Sequence, residues 1–458
     1  MPDNNFLSAH NARHVFHPMG HPAEIEANPP HIITGGKGVR VTDANGVELV
    51  DAVGGMWNVN LGYSCDPIKR AIAEQLERLP YYSAFKGTTN PPLIELSQKL
   101  CEIMAPEDMK RAFFTSGGSD SVETALRLAR HYWKLKGEKD RFKFLSFKKG
   151  YHGTHFGAAS VNGGDRFRRP YEPMLAGCFH VPFPTAYRNA FGTDDIETLA
   201  DICLNLIEEE IRFQGPDTVA AFIAEPVLGA GGVFVPPASL WPRLRALLDR
   251  YGILLIADEV VTGFGRAGDW FGSRLWGVAP DMMCLAKAIT SGYFPFGACM
   301  VNSRVEAAFM EDKTGAGGIY HGYTYSGHPV GCAAALATLD VTFSAEVDGR
   351  NLPGNSVVQG DFIRDALRKL QGETSTIGDV RGIGLMIGLE VVSDRDKKTP
   401  AGADMMALLA EKAFEAGIMI RVSGPNIIMS PPLVLERTDA AIIASALEHA
   451  FHALEKSL

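Results

Sequence analysis

The chain has 458 residues, 46% of them hydrophobic, and 53 acidic residues outnumber 44 basic ones for a formal net charge of −9. Such a chain can bury a large core and divide into more than one domain. It lacks the basic footprint that nucleic acid or an anionic membrane requires, so neither is an expected partner.

The opening stretch MPDNNFLSAHNARHVFHPMGHP has neither the basic start nor the apolar block of a secretory signal. No apolar run approaches membrane-spanning length either, and a cytoplasmic protein is expected. His10, His14, His17 and His21 have a spacing that would suit a metal on one helix face. Pro18, Gly20 and Pro22 break any helix that would align all four, so the reading is a histidine-rich loop without a metal. Next, GVRVTDANGVELVDA alternates about Asn45-Gly46 and predicts a hairpin.

From about residue 110 to 300, short apolar runs alternate with helical patterns, the signature of parallel strands covered by helices. The strand candidates are RAFFT, FKFLSF, VAAFIA, GILLIA and MMCLA. They end in Ser116-Gly117, Lys148-Lys149, Glu225, Asp258 and Lys287. In open parallel sheets ligands bind outside the carboxyl ends of the strands, so these polar residues are expected around one crevice. The run after RAFFT is a glycine turn and a helix with apolar Val122, Ala125, Leu126, Ala129, Tyr132 and Trp133. Ser119 or Asp120 is placed to cap it, Asp120 and Glu123 as a capping box. That turn is either a plain strand-to-helix connection or a phosphate cradle of free N–H groups. After residue 330 come a long helical pattern, the strand-pair signal DVRGIGLMIGLEVV, another helix and IMIRVSGPNIIMSPPL. The expected architecture is a large α/β domain over 62–330 and a smaller α+β domain built from 1–61 and 331–458.

Several motifs look chemical and are not. Gly263, Gly265 and Gly268 spell G-x-G-x-x-G, but an acid-bearing segment separates them from the strand and DWFGSRLWG follows where an apolar helix should. His152 and His155 have no third ligand at readable spacing, and no G-x-S-x-G occurs. Seven scattered cysteines, never as C-x-x-C, read as reduced core residues.

Lys287 and Asp258 are different, because each leaves an apolar strand where burial is costly without a partner. A cradle, a buried acid and a buried lysine on successive strand ends are what pyridoxal phosphate needs. The lysine forms the Schiff base, the acid pairs with the pyridinium nitrogen, and the turn holds the phosphate. Desolvation should lower the lysine's pKa and free its amine.

With SGGSDSVETALRLAR, GYHGTHFGAAS, FIAEPVLGAGGVFVPP, LLIADEVVTGFGRAGDWFG, PDMMCLAKAITSGYFPFGA and HGYTYSGHPVGCAA in this order, the chain resembles the class III aminotransferases of pyridoxal-phosphate fold type I. GGMWNVNLGY, ELSQKL and HGYTYSGHP are most similar to the omega-amino acid:pyruvate and amine:pyruvate group. The resemblance covers almost the whole chain and implies a mostly parallel seven-stranded sheet between helices in the large domain. It implies that Lys287 bears the aldimine and shuttles the proton, and that Asp258 keeps the ring nitrogen protonated. Gly118 and Ser119 would bind the phosphate, Tyr151 and Val260 would cover the two ring faces, and Glu225 would support the site near the ring hydroxyl and His152. Thr324 would reach the phosphate of a neighbouring subunit, which implies a homodimer, or a dimer of dimers. Trp57, Phe85 and Tyr323 would wall the substrate pocket, Phe85 and Tyr323 from the neighbouring subunit, with Arg421 clamping a carboxylate. The pattern departs at Met19 and Lys86, where relatives carry aromatics, and at Gly118, where they carry serine. The implied reaction is ping-pong transfer of an amino group from an amine or omega-amino acid to pyruvate or another keto acid. A relative that racemises, decarboxylates or moves an amino group internally is the alternative within the fold. Outside it, the alternative is a non-catalytic cofactor-binding regulator.

Overall fold

Seven apolar runs pair into one sheet in the computed structural model, which describes residues 4–458. From one edge the order is Met109–Thr115, Gly297–Asn302, Met282–Leu285, Leu254–Asp258, Val219–Ala224, Lys143–Phe147 and Cys178–Val181. Neighbours are parallel from Met282–Leu285 to the Cys178–Val181 edge, whereas Gly297–Asn302 runs antiparallel to both its neighbours. The central strands are apolar throughout because both faces are covered. Phe222, Leu255, Met283 and Leu285 point to one core, Ile223, Ile256, Met282 and Cys284 to the other, with the period of two that a strand dictates.

Helix Gly118–Leu135 covers the second face with Val122, Ala125, Leu126, Ala129, Tyr132 and Trp133, all buried as its spacing requires. Helices Ile196–Gln214 and Leu240–Arg250 cover the first through Ala200, Ile207, Ile211, Trp241 and Leu244. Each such large side chain stabilises the fold by about 1.5 to 3 kcal/mol. The strands Cys178–Val181 and Gly297–Asn302 escape the apolar-run reading. One is a half-covered edge containing His180, and the other begins with Gly297-Ala298, poor strand formers.

The two ends of the chain meet in a second sheet. Ile33–Lys37, Arg40–Asp43 and Glu48–Asp51 form an antiparallel run, and Ile418–Met419 joins it parallel, with Ile418 opposite Val50. The hairpin turns at Gly46, φ 82°, where the Asp43 carboxylate accepts the N–H groups of Asn45 (2.9 Å) and Val47 (2.8 Å). Ile377–Ile383, Met386–Asp394, Asn426–Met429 and Arg421–Ser423 form a third, antiparallel sheet, extended by Thr399–Pro400. Helices Leu352–Glu373 and Arg437–Glu455 cover it through Ile363, Leu367, Ile443, Leu447 and Phe451.

The histidine-rich loop is only partly a loop. Residues Asn4–His14 are helical, with His10 and His14 stacked at 5.4 Å between centroids, and the breakers Pro18 and Gly20 act only beyond it. The glycines of the false dinucleotide motif instead flank Arg266, which is fully buried. Its guanidinium donates to Asn60 Oδ1 (2.5 Å), Leu385 O (3.4 Å) and Pro431 O, stitching the two chain ends to the large sheet. Burial lowers its pKa to about 9, opposed only in part by the charge of Asp51. Among the described residues no helix is long and apolar enough to cross a membrane.

Candidate active site

Three adjacent strands deliver the site's titratable groups to one cavity of about 360 Å³. Leu254–Asp258 ends in Asp258, 3% exposed, whose Oδ2 accepts from His152 Nδ1 (2.8 Å) and whose Oδ1 accepts from Val260 N (3.2 Å). Each carboxylate oxygen keeps a second lone pair free. His152 is held in turn by its backbone N–H on Asn162 Oδ1 (2.5 Å), and Asn162 Nδ2 donates to Gly153 O (2.8 Å). On the next strand, Glu225 Oε1 accepts from Tyr151 N (2.8 Å) and Oε2 from Gly229 N (2.9 Å). Burial, opposed by His152 and reinforced by Asp258, pushes the Glu225 carboxyl up to about 7.

Met282–Leu285 carries the chain to Lys287, which begins a short turn with a left-handed φ of 48°. A non-glycine residue there costs about 1 to 3 kcal/mol, the kind of strain that collects at functional sites. Its ammonium makes no hydrogen bond or ion pair among the described residues and lies 5.6 Å from the centroid of Trp57. Burial holds its pKa below the usual lysine range, and the positive field of Arg421 adds to this against the pull of Asp258 and Glu225.

The glycine turn opens onto the same cavity, but its helix start is built differently from the expected capping box. Gly117 is the cap residue, with no side-chain cap bond. Asp120 Oδ2 instead accepts from Ser116 N (3.0 Å), and Oδ1 pairs with His155 Nε2 (2.5 Å). Glu123 accepts from Ala158 N (3.2 Å) and pairs with Arg127 (3.3 Å). With these acids engaged by Ser116, His155, Ala158 and Arg127, the N–H groups of Gly117, Gly118 and Ser119 donate to no protein acceptor among the described residues. The Ser119 hydroxyl accepts from Thr154 N (3.1 Å) and lies 3.4 Å from the Thr154 hydroxyl. A Cβ on Gly118 would come within 3.0 Å of Val260 Cγ1, so the smallest residue lets the turn approach the side chain that covers the cavity. Tyr151 lines the same cavity, edge-on to Phe167 at 4.8 Å. An aromatic wall, an acid, a free amine and a cradle of unpaired N–H groups fit a flat, phosphorylated, carbonyl-bearing ring.

The sequence profile of the family described as aminotransferase class-III matches residues 23–451. The chain belongs to the class III aminotransferases. The putrescine–pyruvate aminotransferase of Pseudomonas aeruginosa is 36% identical over 416 residues, 90% of this chain and 88% of that protein. The crystal structure of an amine transaminase from an uncultivated Pseudomonas species, in its PLP-bound form, superposes with a TM-score of 0.93 at 47% identity, covering 96% of this chain and 99% of that one. An (S)-enantioselective omega-transaminase from Thermomicrobium roseum gives a TM-score of 0.94 at 37% identity, covering 99% of both chains. These relatives share fold type I, and family membership implies pyridoxal phosphate as the cofactor.

At the mouth of the aminotransferase's cavity, the turn Gly54–Trp57 is held by the Asp51 carboxylate, which accepts from the N–H groups of Val53 (2.9 Å), Gly54 (3.0 Å) and Gly55 (2.6 Å) and from the Tyr63 hydroxyl. It presents Trp57 to the cavity and Met56 to Arg421, whose guanidinium lies 5.8 Å from the Trp57 centroid with Nη1 2.6 Å from Met56 Sδ. Of the residues expected at the substrate and the phosphate, Arg421, Phe85, Tyr323 and Thr324 do not line this cavity. Phe85 is 52% exposed, the Tyr323 hydroxyl donates to Asp120 O (3.2 Å), and Thr324 O accepts from the Tyr81 hydroxyl (2.7 Å). Asp51 and Asn162 escaped the sequence reading. A hint for Asp51 was its place before two glycines, whereas nothing distinguishes Asn162 from ordinary loop residues.

Proposed function

We propose that this aminotransferase moves an amino group from an amine or omega-amino acid to pyruvate or a related keto acid, one substrate at a time through a single cavity. The observation carrying this reading is the Lys287 amine, buried near Asp258 and without a hydrogen-bond or ion-pair partner among the described residues, in a cavity lined by Trp57, against whose ring Arg421 lies. When bound, pyridoxal phosphate supplies an electrophilic carbonyl and a ring that withdraws electrons. The residues that would hold it are Ser119 with the N–H groups of Gly117 and Gly118 at the phosphate, Tyr151 and Val260 on the ring faces, and Asp258 at the ring nitrogen. Asp258 would keep a proton on that nitrogen, and His152 holds Asp258 in place. Glu225, with a pKa near 7, fixes the Tyr151 and Gly229 backbone and would support the ring from its hydroxyl side. Lys287 Nζ takes a proton from the substrate carbon that carries nitrogen and returns one during the reverse half. Its lowered pKa makes the neutral amine available to take the proton, and the ammonium so formed is then able to give it back. Trp57 narrows the entrance and keeps water from the reacting atoms, while Arg421 binds the carboxylate of the keto acid.

The chain works as a homodimer in which Phe85, Tyr323 and Thr324 of one subunit complete the cavity of the other. The exposure of Tyr82, Phe85, Tyr320 and Tyr325 supports this, since large aromatics seldom cluster in water without a partner. Residues 62–330 act as the cofactor domain and the joined ends, 1–61 and 331–458, as the smaller one. The test is a panel of diamines, monoamines and omega-amino acids incubated with pyruvate and pyridoxal phosphate, with alanine as the readout. Alanine from several donors is expected. Its absence with every donor and keto acid tried would overturn the reading.

A further inference from the structure

Ser291 closes the turn that Lys287 opens. The turn Lys287–Thr290 is bracketed by two left-handed residues, Lys287 at φ 48° and Ser291 at φ 49°, and neither is glycine. Within it Ile289 N donates to Ala286 O (3.1 Å) and Ser291 N to Ala288 O (3.0 Å). Such backbone persists only where the surroundings fix it. Here the surroundings are the segment 58–65, which follows Trp57 directly. The buried Ser291 Oγ accepts from Leu61 N (2.9 Å). A little further along, the Tyr293 hydroxyl donates to Gly62 O (2.8 Å) and accepts from Cys65 N (2.8 Å). The segment is anchored in its turn, because Asn60 Oδ1 accepts from Arg266 (2.5 Å), Asn60 Nδ2 donates to Phe264 O (3.3 Å) and Asn60 O accepts from Leu433 N (2.8 Å). The Lys287 amine has no hydrogen bond or ion pair among the described residues to aim it, so its place is set by the backbone that carries it.

We propose that Ser291 is the positioning residue for the Lys287 amine, with Tyr293 as a second grip: together they fasten the lysine turn to the segment behind Trp57, so that the amine stays 5.6 Å from the centroid of that ring. This rests on the reading that Lys287 takes the cofactor. The residue type supports the role. Glycine would adopt φ 49° without strain, but it would leave the buried Leu61 N–H without an acceptor. Serine keeps the strain and makes the hydrogen bond, which ties a short, strained turn to one fixed point. Ser291 does not line the cavity, so it acts through Lys287 and takes no part in the bond changes.

The test needs no turnover. The full chain, freed of cofactor, is mixed with pyridoxal phosphate, and the visible absorbance is followed as the Lys287 amine condenses with the aldehyde and releases water, with Lys287→Ala as the blank for other amines. Pyridoxamine phosphate has the same ring and phosphate but no carbonyl for the lysine, and its affinity, measured by calorimetry, reads the rest of the site. Ser291→Ala and Ser291→Gly should slow capture of pyridoxal phosphate by about ten- to a hundredfold, the effect of orphaning a buried donor and displacing the attacking group. Their affinity for pyridoxamine phosphate should change by less than about threefold. Tyr293→Phe, which keeps the ring and its packing, should slow capture by about three- to tenfold and decides the matter if the Ser291 variants do not fold. Ser291→Cys, with a weaker acceptor in the same place, should recover part of the rate. Burial holds the pKa of Lys287 down in the native chain, so a turn that swings toward solvent should also shift the rise of capture rate with pH upward in Ser291→Gly. A purely structural Ser291 gives another pattern: capture and pyridoxamine phosphate affinity fall together, or neither falls and the pH profile stays in place. Either result would overturn the proposal. The two readings fail differently. A native chain that captures no pyridoxal phosphate sinks the assignment of Lys287, and this proposal with it. One that captures it equally well with and without the Ser291 and Tyr293 hydroxyls sinks this proposal alone.

Discussion

At the floor of the cavity, Asp258 and Glu225 are each gripped by two donors, and those donors are themselves fixed: His152 by Asn162, Tyr151 and Gly229 by the backbone turns that carry them. At the mouth, Arg421 rests against Met56 and Trp57 and makes no ion pair among the described residues. The contrast follows from what each region meets. Floor residues serve a ring that stays in one place, so their value lies in being held rigidly. The mouth must admit substrates with and without carboxylates, and a guanidinium locked in an ion pair would serve neither kind.

The sharpest way to break this picture is at Lys287, the one floor group left without a partner. If its amine moves protons in both half-reactions as proposed, Lys287→Ala should slow amino transfer by more than about a thousandfold, checked by alanine formation with circular dichroism confirming the fold. A fall of less than tenfold would return Lys287 to the status of a strained structural residue. Asp258→Asn should follow, at about a hundred- to a thousandfold. It removes a buried charge from the ring nitrogen and puts an amide opposite His152 Nδ1, while altering shape very little. Measuring the amine half-reaction and cofactor affinity separately decides the matter, because a purely structural Asp258 would lose both alike.

The floor was largely legible before any coordinates, for a physical reason. Glu225, Asp258 and Lys287 each end an unbroken apolar run, and a polar side chain in that setting either has a task or destabilises the fold. The cradle was legible as a glycine turn, but not its arrangement. The capping box that Asp120 and Glu123 promised does not form, because His155 and Ala158 from another segment compete for those carboxylates. The helix at Asn4–His14 was missed because breakers at Pro18 and Gly20 were credited with more reach than they have. The mouth was the least legible. Arg421 was found only through family resemblance, because its contacts, Met56 and Trp57, lie far away in the chain and no local pattern reports a contact of that range.

A third test separates rigidity from charge at the floor. The folded chain raises the Glu225 carboxyl from its ordinary 4.5 to about 7. Between these values the folded state keeps a proton that the unfolded state has released. Its contribution to stability is therefore complete below about pH 4.5 and lost as pH rises through about 7, a total of about 3 kcal/mol. Urea unfolding at intervals from pH 4.5 to 7.5 should show this decline in the native chain and a flatter profile in Glu225→Gln. Parallel profiles would mean that Glu225 does not carry the proton.

The mildest test is at the mouth, where the loss should depend on the substrate. Arg421→Ala removes the guanidinium proposed to meet a carboxylate beside the reacting carbonyl, a charge-assisted contact worth about 1.5 to 3 kcal/mol. The keto acid half-reaction with pyruvate should slow by about tenfold to a hundredfold. A monoamine without a carboxylate has nothing to pair with Arg421, and its half-reaction should fall by less than about threefold, or rise slightly as the crowded, positively charged entrance relaxes. A second, opposing effect reaches the floor and is measurable. Arg421 helps to lower the pKa of Lys287, so its removal should let the lysine pKa climb and shift the pH dependence of the amine half-reaction upward. A structural Arg421, needed only to pack against Met56 and Trp57, would instead slow both half-reactions equally and leave their pH profiles in place. In that case Arg421→Met, which keeps the apolar stem without the charge, would recover both. With the carboxylate role, Arg421→Met would recover the amine half-reaction alone.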